Sequence, residues 1–138
     1  MLWVLAVTGV ISVLVFSRVD DWSRDFSTNV AMTGESGPLK PLRLSQSVEQ
    51  AVEQLRKAVA KNSHWQWVDN TATSQGTVIN LVRTTTLFRF KDDIQVTIVP
   101  DKPHDGVVIN AISRSRVGKG DLGQNPRNIK ELFAMLAD

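Results

Sequence analysis

Basic side chains and glycines crowd one stretch near the C-terminus, SRSRVGKGDLGQNPRN, at residues 113–128. Within it, Gly118 to Gly123 spells G-x-G-x-x-G, the fingerprint of dinucleotide-binding loops. That fingerprint needs a second parallel strand and an acidic residue about 20 positions further on, whereas fifteen residues follow Gly123. A phosphate-binding P-loop is excluded as well, because Gly120, and not serine or threonine, follows the Gly-Lys pair. We therefore expect no dinucleotide cofactor.

The same stretch has the chemistry of a site for an anion or another polar ligand. Glycines permit close backbone approach, and a helix beginning near Pro126 would offer free N–H groups at the positive end of its dipole. Arg114 and Arg116 share one face of the last strand. Alternatively, Asp121 is itself the anion, and the glycines only turn the chain from strand to helix. The candidate residues of this site are Arg114, Arg116, Lys119, Asp121, Asn125 and Arg127.

A second charged cluster consists of Arg89, Asp92 and Asp93. Paired carboxylates can perform acid–base chemistry or bind a cation. Adjacent residues of a strand point to opposite faces, however, so the two aspartates are not expected to serve one site. A turn, or an ion pair of one aspartate with Arg89 or Arg116, is the favoured interpretation.

The chain has few other residues or motifs that could support catalysis or bind a metal. There is no cysteine, which excludes disulfides, thiol nucleophiles and zinc–thiolate sites. His64 and His104 have no partner at ligand spacing, and no G-x-S-x-G elbow occurs. The net charge is only +2, without the dense basic stripe typical of nucleic-acid binding. We expect no catalytic residue, metal or cofactor, and no nucleic-acid partner.

The first residues have the character of a membrane segment. Met1–Ser17 carries no charged side chain, and Trp3 and Trp22 flank it as interfacial anchors do. A helix of this length would span about 25 Å, enough for a single-pass anchor. A cleaved signal peptide is the alternative, and the side of the membrane stays open. Residues 18–41, with several glycines and prolines, are interpreted as an extended tether.

The remaining residues, 42–138, are predicted to form one domain with the order β-α-β-β-β-β-α. Ser47 and Gln50 fit a capping box ahead of an amphipathic helix. In the last helix, Asn125 is predicted as the N-cap and Pro126 as the first helical residue. Trp65 and Trp67 share a strand face, where they either pack in the core or line a pocket.

Short loops between neighbouring strands favour antiparallel pairing, and two amphipathic helices can cover one face of the sheet. We expect an α+β fold whose element order is similar to that of helix-grip and TATA-binding-protein-like folds.

Two segments carry a family resemblance, LVRTTTLFRFKDDIQVTI at residues 81–98 and SRSRVGKGDLGQNPRNIKELF at residues 113–133. Together with RDFSTNVA at residues 24–31, they closely resemble membrane-anchored bacterial members of the domain of unknown function 1499 family. Many members carry a cysteine-containing segment near the place of Ser27, Thr28 and Asn29, and this chain does not. The resemblance implies a small, often membrane-associated domain and no established activity.

The sequence therefore favours a non-enzymatic, membrane-tethered binding or assembly domain. Its expected partner is a membrane lipid or membrane protein, contacted through the Gly/Arg-rich loop. The alternative is a carrier of a small molecule or lipid, or an unrecognised enzyme, with a pocket between sheet and helix.

Overall fold

The described part of the chain has an α+β fold, with one antiparallel sheet and two helices. The computed structural model describes residues 28–118 and 120–137, so the predicted membrane anchor, residues 1–17, lies outside the described residues. In chain order the elements are β1 (Val30–Met32), β2 (Leu42–Leu44), α1 (Val48–Ala60), β3 (Trp65–Thr73), β4 (Gly76–Thr84), β5 (Lys91–Pro100), β6 (Val107–Ser115) and α2 (Gln124–Ala137). From β2 onward this is the predicted order. Neither of the two described helices is long and apolar enough to cross a bilayer.

The six strands form one sheet in the order β1-β6-β5-β4-β3. Strands β3 to β6 follow one another as a meander, because short loops join each antiparallel pair. The outer edge of β6 is shared by two short strands. Strand β1 pairs with Ile112–Arg114, and β2 pairs with Val107–Ile109.

Strand β1 lies in the segment that the sequence predicted to be a tether. Ala31 faces the core opposite Ser113 and is 8% exposed. Three residues are too short to show a readable alternation of apolar and polar side chains. Their pairing follows from the unpaired N–H and C=O groups along the edge of β6. Residues 30–32 therefore belong to the sheet and not to a linker.

The core lies between one face of the sheet and both helices. Alternate residues of β5, for example Ile94, Val96 and Ile98, point inward and are fully buried. Helix α1 covers β3, β4 and β5, and α2 covers β6 and β1. The apolar side chains that the helices bury in this core are Ala51, Leu55, Val59, Ile129, Leu132 and Leu136. The opposite face of the sheet carries neither helix.

The predicted cap of α1 is confirmed. The Ser47 side chain accepts a hydrogen bond from the Gln50 N–H, and the Gln50 side chain accepts one from the Ser47 N–H. The predicted cap of α2 is wrong, because the helix begins at Gln124 and Asn125 lies inside it, fully buried. Asn125 has a hydrogen-bonding role in the interior, described below, which its position before a proline does not reveal.

The two tryptophans of β3 pack against the core, as one of the two alternatives predicted. Trp65 is buried, and its indole N–H donates to Glu131 at 2.8 Å. Trp67 is half-buried, with the Arg56 guanidinium 4.1 Å from its ring centroid. This contact has cation–π geometry and shields the exposed side of the ring.

We predict that Gly76→Ala destabilises the protein by about 2 kcal/mol or more. Gly76 has φ +154°, and an added Cβ would lie 2.1 Å from the backbone oxygen of Ile98 in the neighbouring strand. Chemical denaturation would measure the loss. Gly34→Ala is the matched control, since nothing lies within 4 Å of its added Cβ, and it should change stability by less than about 0.5 kcal/mol. Equal stability of the two variants would contradict this packing.

Candidate ligand-binding pocket

A pocket of about 170 Å³ lies at the end of the sheet where β4 ends and β5 begins. Three segments surround it: the β4–β5 loop at residues 85–90, the end of β6, and residues 116–118 and 120–123 ahead of α2. It lies beside the apolar core and not within it, because the residues between sheet and helices are closely packed and fully buried. The pocket thus lies at one end of the domain, whereas the alternative stated above expected a pocket between sheet and helix.

The outer wall of the pocket is apolar and faces solvent. Four side chains form it: Leu87 (48% exposed), Phe88 (51%), Phe90 (46%) and Val117 (55%). They are four of the seven large hydrophobic side chains that are exposed in the described part of the chain. The Phe88 and Phe90 rings stack with centroids 5.5 Å apart. Such a concentration of exposed apolar groups is typical of a binding surface.

The aromatic wall is held in place by the loop that carries it. The Thr85 N–H donates to the Phe90 carbonyl at 2.8 Å, and the Phe90 N–H donates to the Thr85 hydroxyl at 2.9 Å. Arg89, which lies between the two phenylalanines in the sequence, adopts a left-handed conformation with φ 56°. This conformation is uncommon for a residue with a side chain, and such local departures occur often at binding sites.

The floor of the pocket is the carboxyl group of Asp92. The alternation of β5 directs this side chain inward, and only 1% of the residue is exposed. Its Oδ2 accepts a hydrogen bond from the Asn128 amide at 2.7 Å. Burial raises the pKa of Asp92, and the charge of Asp121 adds to this, while hydrogen bonds from Asn128 and Ser115 and the charge of Arg83 oppose it. A carboxyl group with a raised pKa at the bottom of a pocket is a common feature of functional sites.

Two asparagines of α2 connect the pocket floor to the sheet. The Asn128 amide donates to Asp92 and to the Ser113 hydroxyl, and that hydroxyl donates to the Asn125 side-chain carbonyl at 2.6 Å. The Asn125 amide then donates to the Ser115 hydroxyl and to the backbone oxygen of Asn29. These amide groups are therefore fully hydrogen-bonded in the interior, as buried polar groups must be.

Asp121 supplies the hydrogen-bond acceptors at the start of α2. Its two carboxylate oxygens accept from the backbone N–H groups of Gly123 and Asn125, each at 2.9 Å. Gly123 has φ 74°, a conformation that glycine adopts without strain. The carboxylate thus sits at the helix N-terminus, where the anion-site hypothesis had assigned a ligand. This was the alternative that the sequence left open.

The other residues of the two predicted clusters are divided between two faces. Arg114 and Arg116 are exposed beside a groove on the open face of the sheet, away from the pocket described above. The Arg116 guanidinium binds the Asp93 carboxylate with two nitrogens, Nε at 2.9 Å and Nη2 at 2.6 Å. One of the predicted ion pairs of the aspartates is thereby confirmed. Arg127 lines the pocket and donates to the Leu122 carbonyl.

Two of the predicted site residues, Arg89 and Lys119, remain to be located. Arg89 is exposed in the β4–β5 loop, where it lies between Phe88 and Phe90 in the sequence. Lys119 lies outside the described residues. The structure therefore brings Asp92, Asp121 and Arg127 into one pocket, and separates Arg114, Arg116 and Asp93 from it.

Sequence reasoning missed the apolar wall and the asparagine pair. One signal was available for the asparagines. Asn125 and Asn128 continue the helical stripe of Ile129, Leu132 and Leu136, so polar residues occupy its buried face. Ser113 likewise continues the inward alternation of β6. Polar residues at inward positions of both partners indicate a buried hydrogen-bonded cluster.

Comparison with known families assigns the chain to one of them. The model of the family described as "protein of unknown function (DUF1499)" matches residues 12–136. The chain belongs to this family. No curated protein and no solved structure gives a significant match. The DUF1499 match includes every segment that forms the pocket, so the pocket lies within the family domain.

We predict that Asp92→Asn removes a pH dependence of stability. Since burial raises its pKa, folded Asp92 releases its proton at a higher pH than the unfolded chain does. Its stabilising contribution is therefore fully present below the unfolded pKa and is lost as pH rises through the folded pKa. The wild type should lose stability relative to Asp92→Asn as pH rises above about 4. Thermal unfolding at a series of pH values would measure this difference.

Asp105→Asn is the control for that experiment, because Asp105 is an exposed loop residue at the opposite end of the sheet. The stability of this variant should change with pH in the same way as that of the wild type. A constant difference between wild type and Asp92→Asn at every pH would show that the Asp92 carboxyl is not perturbed.

Proposed function

We propose that this DUF1499 chain is a membrane-tethered binding domain that holds a small ligand in the pocket between the β4–β5 loop and the start of α2. The observation that carries the proposal is the buried Asp92 carboxyl group beneath an exposed aromatic wall. An apolar pocket with a few fixed polar groups is the usual form of a small-molecule site. The proposed membrane anchor is the uncharged segment at residues 1–17.

The ligand that suits this pocket is a small amphiphile with an apolar or aromatic body. Phe88 and Phe90 offer ring surface to that body, and Asp92 offers acceptor oxygens to a head group. Among the described lining residues, Asp92 and Asp121 are acidic and Arg127 alone is basic. A head group that donates hydrogen bonds, such as an amine, is therefore favoured over an anionic one.

The polar end of the pocket is fixed before any ligand arrives. Asp92 lies on β5, Ser115 ends β6 and Asn128 lies on α2, so three regular elements set the position of the carboxyl group. A site built on strands and helices is held more accurately than one built on loops. Less conformational entropy is then lost on binding.

An enzymatic use of the same pocket is the second candidate, and the raised pKa of Asp92 favours it. A carboxyl group with a raised pKa is a stronger base when ionised than an ordinary one, which suits general acid–base chemistry. The Ser115 hydroxyl also lines the pocket and lowers the pKa of this carboxyl group. Conversion of a bound ligand, lost in Asp92→Asn, would distinguish an enzyme from a binding domain.

We expect the full-length protein in detergent to bind 2-phenylethylamine more tightly than 3-phenylpropionate. Both probes carry a phenyl ring, and only the amine can donate hydrogen bonds to Asp92 as a cation. Because a hydrogen bond to a charged group contributes about 1.5–3 kcal/mol, Asp92→Asn should weaken amine binding by roughly tenfold or more. Saturation-transfer NMR titrations would measure both affinities.

Asp93→Asn is the matched control, since Asp93 is the neighbouring residue on the open face and does not line this pocket. It should leave amine binding unchanged. Partitioning of the amine into detergent is the same for both variants, so it does not affect the comparison between them. Tighter binding of the carboxylate, or an equal effect of both substitutions, would contradict the proposed role of the pocket.

A further inference from the structure

We propose that the apolar wall of the pocket is also a membrane-docking tip, which contacts the surface of a bilayer that contains anionic lipids. The docking tip is defined by Leu87, Phe88, Phe90 and Val117, with the basic residues Arg89 and Lys91 beside them. The inference rests on the proposed membrane tether, and it adds which end of the domain faces the lipid.

The apolar groups are concentrated at one end of the sheet. Loop 85–90 and Val117 lie at the end where β4 and β6 finish and β5 begins. At the opposite end, the turn at residues 74–75 and the loop at residues 101–106 carry no large hydrophobic side chain. Removing the exposed tip from water would be favourable, and a lipid surface can accept such groups to a shallow depth.

The charges beside the tip suit an anionic surface. Arg89 and Lys91 flank Phe90 and are exposed. Among the residues that the structure describes, no carboxylate lies within ion-pair distance of either side chain. Basic side chains next to inserted apolar groups are attracted to anionic headgroups, and the attraction falls off within a Debye length.

The chain enters the domain at this same end. The Thr28 carbonyl accepts a hydrogen bond from the Asp121 N–H at 3.1 Å, and the Asn29 side chain donates to the Gly118 carbonyl at 3.1 Å. These two hydrogen bonds attach the first described residues to the loop that carries Val117. Residues 18–27 can span at most about 35 Å. A bilayer that holds residues 1–17 would thus lie within short reach of the docking tip.

The test uses the full chain reconstituted into vesicles, with single labelled cysteines. Because the natural sequence contains no cysteine, Leu87→Cys and Val117→Cys each give one site for an environment-sensitive NBD label. In vesicles of phosphatidylcholine and phosphatidylserine, both labels should shift to the blue and lose at least half of their emission when lipids carry doxyl quenchers. Gln75→Cys, at the opposite end of the sheet, should show neither change.

The charge contribution is tested in the Leu87→Cys background. Arg89→Gln and Lys91→Gln should each lower the docked-to-free ratio about fivefold in anionic vesicles. Neither substitution should matter in vesicles of phosphatidylcholine alone. Lys102→Gln, the same change in the loop at the far end, is the control and should leave the ratio unchanged.

Each adverse outcome has its own meaning. If the protein floats with vesicles but the labels at positions 87 and 117 behave like the label at position 75, the docking tip is refuted and the tether stands. A blue shift without lipid quenching would assign the tip to contacts between protein copies, which also overturns the proposal. If the protein does not float with vesicles, the tether fails and this inference fails with it. Binding of 2-phenylethylamine in detergent is independent of these results.

Discussion

The side-chain amide of Asn128 joins α2 to two neighbouring strands, by donating to Asp92 on β5 and to Ser113 on β6. Both acceptors and the amide are almost completely buried. Burial makes these hydrogen bonds obligatory, because an unpaired polar group there would keep the full cost of its desolvation. They therefore set the position of the first half of α2 on the sheet, while Leu132 and Leu136 fix the second half through apolar packing.

The pocket depends on this arrangement. The polar cluster lies at the base of the pocket, where Asp92 is part of the lining, and the apolar core lies beside it. Asp121 holds the start of α2 from the other side of the pocket. The same hydrogen bonds that attach the helix thus place a carboxyl group with a raised pKa at the base of an apolar wall.

The two ends of the sheet differ in character, and this difference links the proposals. One end carries the polar cluster, the aromatic loop 85–90 and the point at which the chain enters the domain. The other end consists of polar turns. A ligand site and a lipid contact at the same end would give an amphiphile a path between membrane and pocket, although each property can be measured without the other.

Local patterns in the sequence were sufficient to predict most elements of the DUF1499 fold. The capping box at Ser47 and the alternation of Ile94, Val96 and Ile98 depend only on neighbouring residues, so the order from β2 to α2 was predictable. Strand β1, the role of Asn125 and the division of the arginines between two faces were decided by tertiary structure. They depend on which residues meet across the sheet, as when Arg116 reaches Asp93 on the next strand. Spacing along the chain determines periodicity, whereas burial and partner choice arise only when distant segments pack, because a polar side chain takes the partner that the fold brings to it.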